Sequence, residues 1–181
     1  MEQRELDIIL ALLRQKELHV RGLAKLLRQP HANISRVMKR LLEKNIVDFK
    51  IEGKNKVYNL KKGIETKSYI YAAEHYKLLK LFEKYSFLSV IIESILNKTN
   101  EDLIFVFGSF AKFKAKKESD VDVFIETDNR RVKREVEAIN SRLNVKIGKF
   151  DKTNLLIKEI IKDHVIIKGV EGYYEKNPIF N

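Results

Sequence analysis

The stretch from Val106 to Glu126, VFGSFAKFKAKKESDVDVFIE, constrains the fold more than any other part of the chain. Gly108-Ser109 ends one apolar run, mostly polar residues follow, and Asp120-Val121-Asp122 opens a second apolar run. Leu103 to Phe107 reads as a buried strand, and Val121, Val123 and Ile125 form one face of another. Side chains alternate along a strand, so Asp120 and Asp122 project to the same face, about 6.5–7 Å apart. Two oxygen ligands fixed in that way suit Mg²⁺, a hard cation that takes one or two protein carboxylates and completes its shell with water and phosphate oxygens. Gly108 permits a tight turn and close approach to a ligand. Ser109 is placed to cap a following helix whose first amides would face an anion.

This segment resembles the polymerase-beta-type nucleotidyltransferase superfamily, whose minimal members carry Gly-Ser, about ten residues, then Asp-x-Asp. The resemblance covers roughly residues 101–174. It implies that Gly108 and Ser109 bind the phosphates of a nucleoside triphosphate, ATP foremost, and that Asp120 and Asp122 are the catalytic ligands of Mg²⁺. Positioning and charge neutralisation supply most of the catalysis in such phosphoryl-type transfer. Active members usually add a third carboxylate from a later strand. Here 129–143 reads as a helix, with Val132, Val136, Ile139 and Leu143 at helical spacing, and 144–150 as the strand. With Val145 and Ile147 facing inward, Lys146 and Gly148 fall on the metal side, and Lys146 is a candidate counter-ion to the aspartates. Asp151 has the wrong parity unless a bulge intervenes, and Glu126 lies about 13 Å beyond Asp122.

The first sixty residues follow a different plan. Leu6, Ile9, Leu10 and Leu13 mark one amphipathic helix, and Val20, Leu23, Ala24 and Leu27 a second. After Gln29-Pro30, Ile34, Val37, Met38, Leu41 and Leu42 mark a third. Two β-like runs, 46–51 and 56–60, flank the turn residues 52–55. Three helices and a hairpin resemble the winged helix-turn-helix domains of bacterial and archaeal regulators, in which the third helix enters the major groove of duplex DNA. That places Asn33, Ser35, Arg36, Lys39 and Arg40 on the outer face. Arg36 and Asn33 would meet base edges. Lys39 and Arg40, with Lys50, Lys54 and Lys56 of the wing, would meet phosphates.

The expected architecture is α+β in three parts. These are a winged helix at 1–62, a helical connector or dimerisation segment at 63–99, and a small mixed-sheet nucleotidyltransferase domain at 100–181. The connector is helical from 66 to 98 with a break near Ser86. One stripe carries Tyr69, Ala73, Tyr76, Leu79 and Phe82, and the other carries Leu88, Ile91, Ile92, Ile95 and Leu96. A homodimer would supply two recognition helices. Near the C-terminus 155–162 reads as a helix and 165–167 as a strand, while Tyr173 and Tyr174 are left open between core edge and partner contact.

Thirty-six Lys and Arg against 25 Asp and Glu give a net charge of +11, which points to an anionic partner such as nucleic acid. The absence of cysteine excludes disulfides and thiolate zinc sites, and with no apolar run long enough for a membrane span the expectation is a cytoplasmic protein. His19, His31, His75 and His164 show no metal-ligand spacing and are expected at the surface or at caps. Two functions follow from the resemblances. One is a DNA-binding regulator whose second domain binds nucleoside triphosphate and Mg²⁺ with weak or lost catalysis. The other is an active, antitoxin-like nucleotidyltransferase that adenylylates a protein or nucleic-acid partner.

Overall fold

The structure, a computed structural model, describes residues 1–180. Two compact units are built on residues 1–76 and 77–178. The first contains α1 (Gln3–Gln15), β1 (Glu17–His19), α2 (Val20–Leu27), α3 (His31–Glu43), β2 (Val47–Glu52) and β3 (Asn55–Leu60). The helix α4 (Ile64–Lys84) begins there and ends in the second unit.

The three expected helices form, and α3 buries most of the stripe that its spacing marks. The buried face of α1 is Leu6, Ile8, Ile9, Ala11 and Leu12, with the expected Leu10 and Leu13 half-buried, and α2 fully buries only Leu23. Ile9, Leu12, Leu23, Ile34, Met38 and Leu41 are essentially inaccessible to solvent. β2 and β3 pair antiparallel through Glu52 and Asn55, leaving Gly53-Lys54 as a two-residue loop with Gly53 at φ +59°. A positive φ at the first loop residue is what a primed hairpin turn requires. One strand was not legible in the sequence. β1 pairs antiparallel with β3, so the wing is a three-stranded sheet in the order β1-β3-β2. Three residues are too few to display an alternation.

The second unit continues with α5 (Phe87–Lys98), β4 (Ile104–Val106), α6 (Gly108–Ala111) and β5 (Val121–Glu126). Then come α7 (Arg130–Glu137), β6 (Leu143–Gly148), α8 (Leu155–Lys162), β7 (Val165–Lys168) and α9 (Val170–Lys176). Its sheet has the order β6-β5-β4-β7, with β5 and β6 parallel and the other pairs antiparallel. A parallel pair needs a crossover, and α7 supplies it. Val121, Val123, Ile125 and Val145 face the main core with Ile104, Val106 and Leu88, Ile92 and Ile95 of α5. The opposite face holds an aromatic group, in which Phe105 stands 6.2 Å from Phe124, 5.8 Å from Phe150 and 5.5 Å from Tyr173 between ring centroids.

Several expectations change here. The helix expected to reach Leu143 ends at Glu137, because the Asn140 side chain accepts the Arg142 amide at 3.0 Å and turns the chain, so Leu143 opens β6. Leu88, Ile91, Ile92 and Ile95, offered as a dimer stripe, are buried in this unit's own core. Leu79, placed on the other stripe, is 57% exposed. His164 is buried rather than superficial, with its ring 5.6 Å from Phe105 and Nδ1 2.7 Å from the Ile160 carbonyl oxygen. Tyr173 belongs to the core.

Candidate functional site

The aspartate pair lies where β5 begins. Antiparallel pairing of β4 with β5 puts the turn after β4 beside the start of β5, and the Phe107 amide donates to the Asp122 carbonyl at 3.0 Å. Gly108 follows at φ +68°. A Cβ at that position would stand 2.2 Å from Asp122 Oδ2, so the turn and the carboxylate are built as one unit that only glycine permits. α6 starts at Gly108 itself, with Phe107 in the capping position. Ser109 therefore sits inside the first turn rather than capping it, and a helix of four residues has little dipole to offer an anion.

Asp122 is half-buried and Asp120 is exposed. In the parallel register Asp122 stands opposite Asn144, and Lys146 stands opposite Phe124. The neighbour of the aspartate is thus Asn144, whose Nδ2 donates to Asp122 Oδ1 at 2.8 Å. Lys146, expected in the place of the third acid, is exposed and acts on Asp122 only through space. Asn144 shares the parity of Lys146, so the face was legible but the register was not. Burial pushes the Asp122 carboxyl up; the hydrogen bond from Asn144 opposes this, the charge of Asp120 adds to it, and Lys146 opposes it more weakly.

Other acids are committed elsewhere. Glu126 accepts the Phe150 amide at 3.0 Å and pairs with Lys176. Asp151 accepts both the amide and the hydroxyl of Thr153, which hold its carboxyl below the usual range. Among the described residues no three His, Cys, Asp or Glu side chains gather into a metal-binding group. Two hard carboxylates, one of them half-buried without a hydrogen-bonded cation, still fit a single Mg²⁺ that draws its remaining ligands from water and phosphate.

One residue that sequence reasoning missed fixes this corner. Arg142 donates through Nη2 to the Ser119 carbonyl at 2.7 Å, and its guanidinium lies 4.8 Å from the Phe87 ring centroid. Its own carbonyl accepts the Val121 amide at 2.8 Å. Asp120 is held between these two anchored neighbours. Only the fold brings Arg142, distant in sequence, to this loop.

In the first unit, from Leu18 to Leu42, six Lys and Arg occur with no Asp or Glu. The residues expected on the DNA face are not equally available. Arg36 and Lys39 are exposed on α3, Asn33 and Ser35 are half-buried, and Lys54 is exposed at the tip of the hairpin. Arg40 is turned inward, 2.5 Å from Glu2 and 3.8 Å from Glu5. Lys50 is held by Glu17 at 2.7 Å and Glu52 at 2.9 Å. Lys56 lies over the Phe49 ring at 4.0 Å. A cleft of about 250 Å³ between the start of α3 and the wing adds Arg21 to the cationic surface.

Residues 90–171 match the family model described as polymerase beta, nucleotidyltransferase, and residues 1–56 match that of the MarR family. No curated protein and no solved structure matches the chain. Each matched segment coincides with a fold already described: three helices and a wing in one case, and a mixed sheet with Gly-Ser and Asp-x-Asp at one corner in the other. The chain joins a winged helix of the MarR type to a polymerase-beta-type nucleotidyltransferase domain.

Proposed function

We propose that the protein is a DNA-binding regulator whose second domain takes up a nucleoside triphosphate, ATP foremost, together with Mg²⁺. The observation that supports this reading is the closeness of Gly108 to the Asp122 carboxylate, as a turn that binds phosphate beside a metal ligand would require. Asp120 and Asp122 would hold the ion, and Gly108 and Ser109 would line the phosphates. When bound, Mg²⁺ neutralises phosphate oxygens and fixes their geometry. Arg142 keeps Asp120 in place, and Asn144 orients Asp122 while leaving its charge intact. A carboxamide in place of a third carboxylate removes the group best suited to draw a proton from an acceptor, so transfer is weak or lost.

Calorimetric titration of ATP and Mg²⁺ into the wild type and into Asp120→Ala/Asp122→Ala tests the reading. Metal-dependent binding that disappears in the variant is the expected result. Silence of the wild type towards ATP, GTP, CTP and UTP would remove the nucleotide from the proposal. For DNA, Arg36→Ala should relax sequence preference and cost about 1–3 kcal/mol on a specific site. Affinity should fall steeply with salt. Two half-sites call for two copies, so the DNA-bound form is read as a homodimer.

A second reading is favoured by one specific observation. Lys146 does not occupy the aspartate pair as a counter-ion, so the site is not closed to a metal. An active enzyme that adenylylates a protein or nucleic-acid partner is therefore the alternative. Asn144→Asp would supply a third acid beside Asp122. A gain in Mg²⁺-dependent ATP turnover would mark the wild-type site as dormant, whereas turnover already present in the wild type would favour the enzyme.

A further inference from the structure

On the sheet face opposite Asp120 and Asp122, a cleft of about 680 Å³ runs between α7 and β6. Arg130, Lys133, Arg134 and Glu137 line it from the helix, and Ile147 lines it from the strand. The four helical positions follow the i, i+3, i+4, i+7 spacing of a single helix face. Their charges are not equally committed. Lys133 pairs with Glu137 at 3.7 Å, whereas Arg130 and Arg134 enter no ion pair among the described residues. Nearby Arg131 is off the cleft and is tied to Glu135 at 2.7 Å.

The first turn of α7 works against the helix dipole, although Asn129 caps it and Arg134 suits the last turn. Arg130 and Arg131 occupy the first two helical positions, and the first turn has no acid. Cations there oppose the helix dipole, so folding alone would favour aspartate or glutamate. Local rules broken without a structural gain are found chiefly at functional sites. Two unpaired guanidiniums on one face match the planar, two-point geometry of phosphate oxygens better than lysines would.

We infer that the α7–β6 cleft binds the phosphodiester backbone of a nucleic-acid strand, giving the nucleotidyltransferase domain a nucleic-acid contact of its own. Arg130 and Arg134 each engage a phosphate, while Lys133, partly neutralised by Glu137, contributes less. Such contacts position a strand and do not read its sequence. The inference does not depend on nucleotide or metal at the aspartate pair.

The test uses the full chain and fluorescence anisotropy across a salt series, with a short mixed-sequence single-stranded RNA, a DNA duplex and a polyglutamate peptide as probes. Arg130→Ala/Arg134→Ala should weaken binding of at least one nucleic acid by about tenfold at low salt. The slope of log K against log salt should fall by about 1.4 for the single strand, or about 1.8 for the duplex. Arg131→Ala, set against the single Arg134→Ala as a matched loss of one positive charge, lies off the cleft. It should change affinity less than about twofold, within what bulk charge supplies, and less than Arg134→Ala does. Arg130→Lys/Arg134→Lys keeps the charge and should recover most of the salt slope. Arg130 stands at the N-terminal end of α7, where a cation opposes the dipole, and Arg134 in the last turn, where it complements it. The two losses offset, so the double alanine variant should melt close to the wild type, as should the lysine variant. Unaltered affinity for both nucleic acids would overturn the inference. So would an effect of Arg131→Ala as large as that of Arg134→Ala, and so would tighter binding of polyglutamate than of either strand.

Discussion

Two acids, one in each unit, are buried in opposite electrostatic circumstances. Glu5 of the winged helix is 1% exposed and is met by Lys44 at 2.7 Å and Arg40 at 3.8 Å. Burial alone would raise its pKa. The hydrogen bonds from Lys44 and the Glu2 amide, with the charges of Lys44 and Arg40, outweigh burial and leave it below the usual carboxylate range. Asp122 of the nucleotidyltransferase domain is also partly buried, but among the described residues the only side chain that donates to it is an amide, and burial pushes its carboxyl up. The first acid is a finished structural element. The second is a charge without a hydrogen-bonded counter-charge, the circumstance on which the proposal of a cation there rests.

The sharpest way to break the comparison is Gly108→Ala. The left-handed backbone and the contact with Asp122 Oδ2 together should cost the second unit about 3 kcal/mol. Adding Asp122→Ala should recover the part due to the clash and leave the backbone penalty of about 1–2 kcal/mol. Full additivity of the two substitutions would mean that the turn and the acid are not one unit. Next, Lys44→Met strips the finished acid of its nearest cation and should cost the winged helix about 2 kcal/mol in chemical denaturation. A neutral result would show that Arg40 suffices.

Arg142→Ala should loosen the loop before Asp120 and weaken Mg²⁺-dependent ATP binding by about 1 kcal/mol, measured by calorimetry, with DNA affinity unchanged. Asp122→Asn keeps the shape and removes the unbalanced charge, so it should raise the melting temperature by about 2 °C while abolishing metal-dependent binding. A lower melting temperature would mean that the carboxylate is stabilising after all.

The smallest effect is a divergence with pH. Glu5 has a lowered folded-state pKa, so its contribution is complete above the ordinary carboxylate value and is lost as pH falls through the lowered one. Asp122 has a raised folded-state pKa, so its ionised form penalises folding above that raised value, and the penalty is relieved as pH falls towards the ordinary value. Hydrogen exchange followed separately in β3 and β5 should therefore show protection falling in the first and holding or rising in the second as the solution is acidified. Parallel loss in both would erase the contrast.

The sequence revealed what is local and periodic. The helical stripes of α1 to α3, the hairpin around Gly53 and the strands flanking Gly-Ser and Asp-x-Asp all carry their signal within a few residues. The rest depends on register and on partners distant in the chain. Parity alone placed Lys146 and Gly148 on the face of the aspartates, but only the β5–β6 pairing shows that Asn144 is the residue opposite Asp122. Arg40 read as a free cation because Glu2 and Glu5 lie far from it in the chain, and Lys50 because Glu17 lies in another strand, although its second partner, Glu52, is two residues away in β2. His164 read as superficial because the aromatic face that encloses it is assembled from four separate segments.

The strand order β6-β5-β4-β7 leaves β6 at the rim of the sheet, with one row of backbone amides and carbonyls outside the ladder. Such a rim is an invitation to another chain of the same kind, and a charged side chain projecting from it is a standing deterrent. Lys146 projects there, exposed, two places after the asparagine that holds the aspartate. Lys146, which reads in the sequence as standing in for an acid, is thus a charge of the kind that discourages strand-to-strand pairing at an open edge.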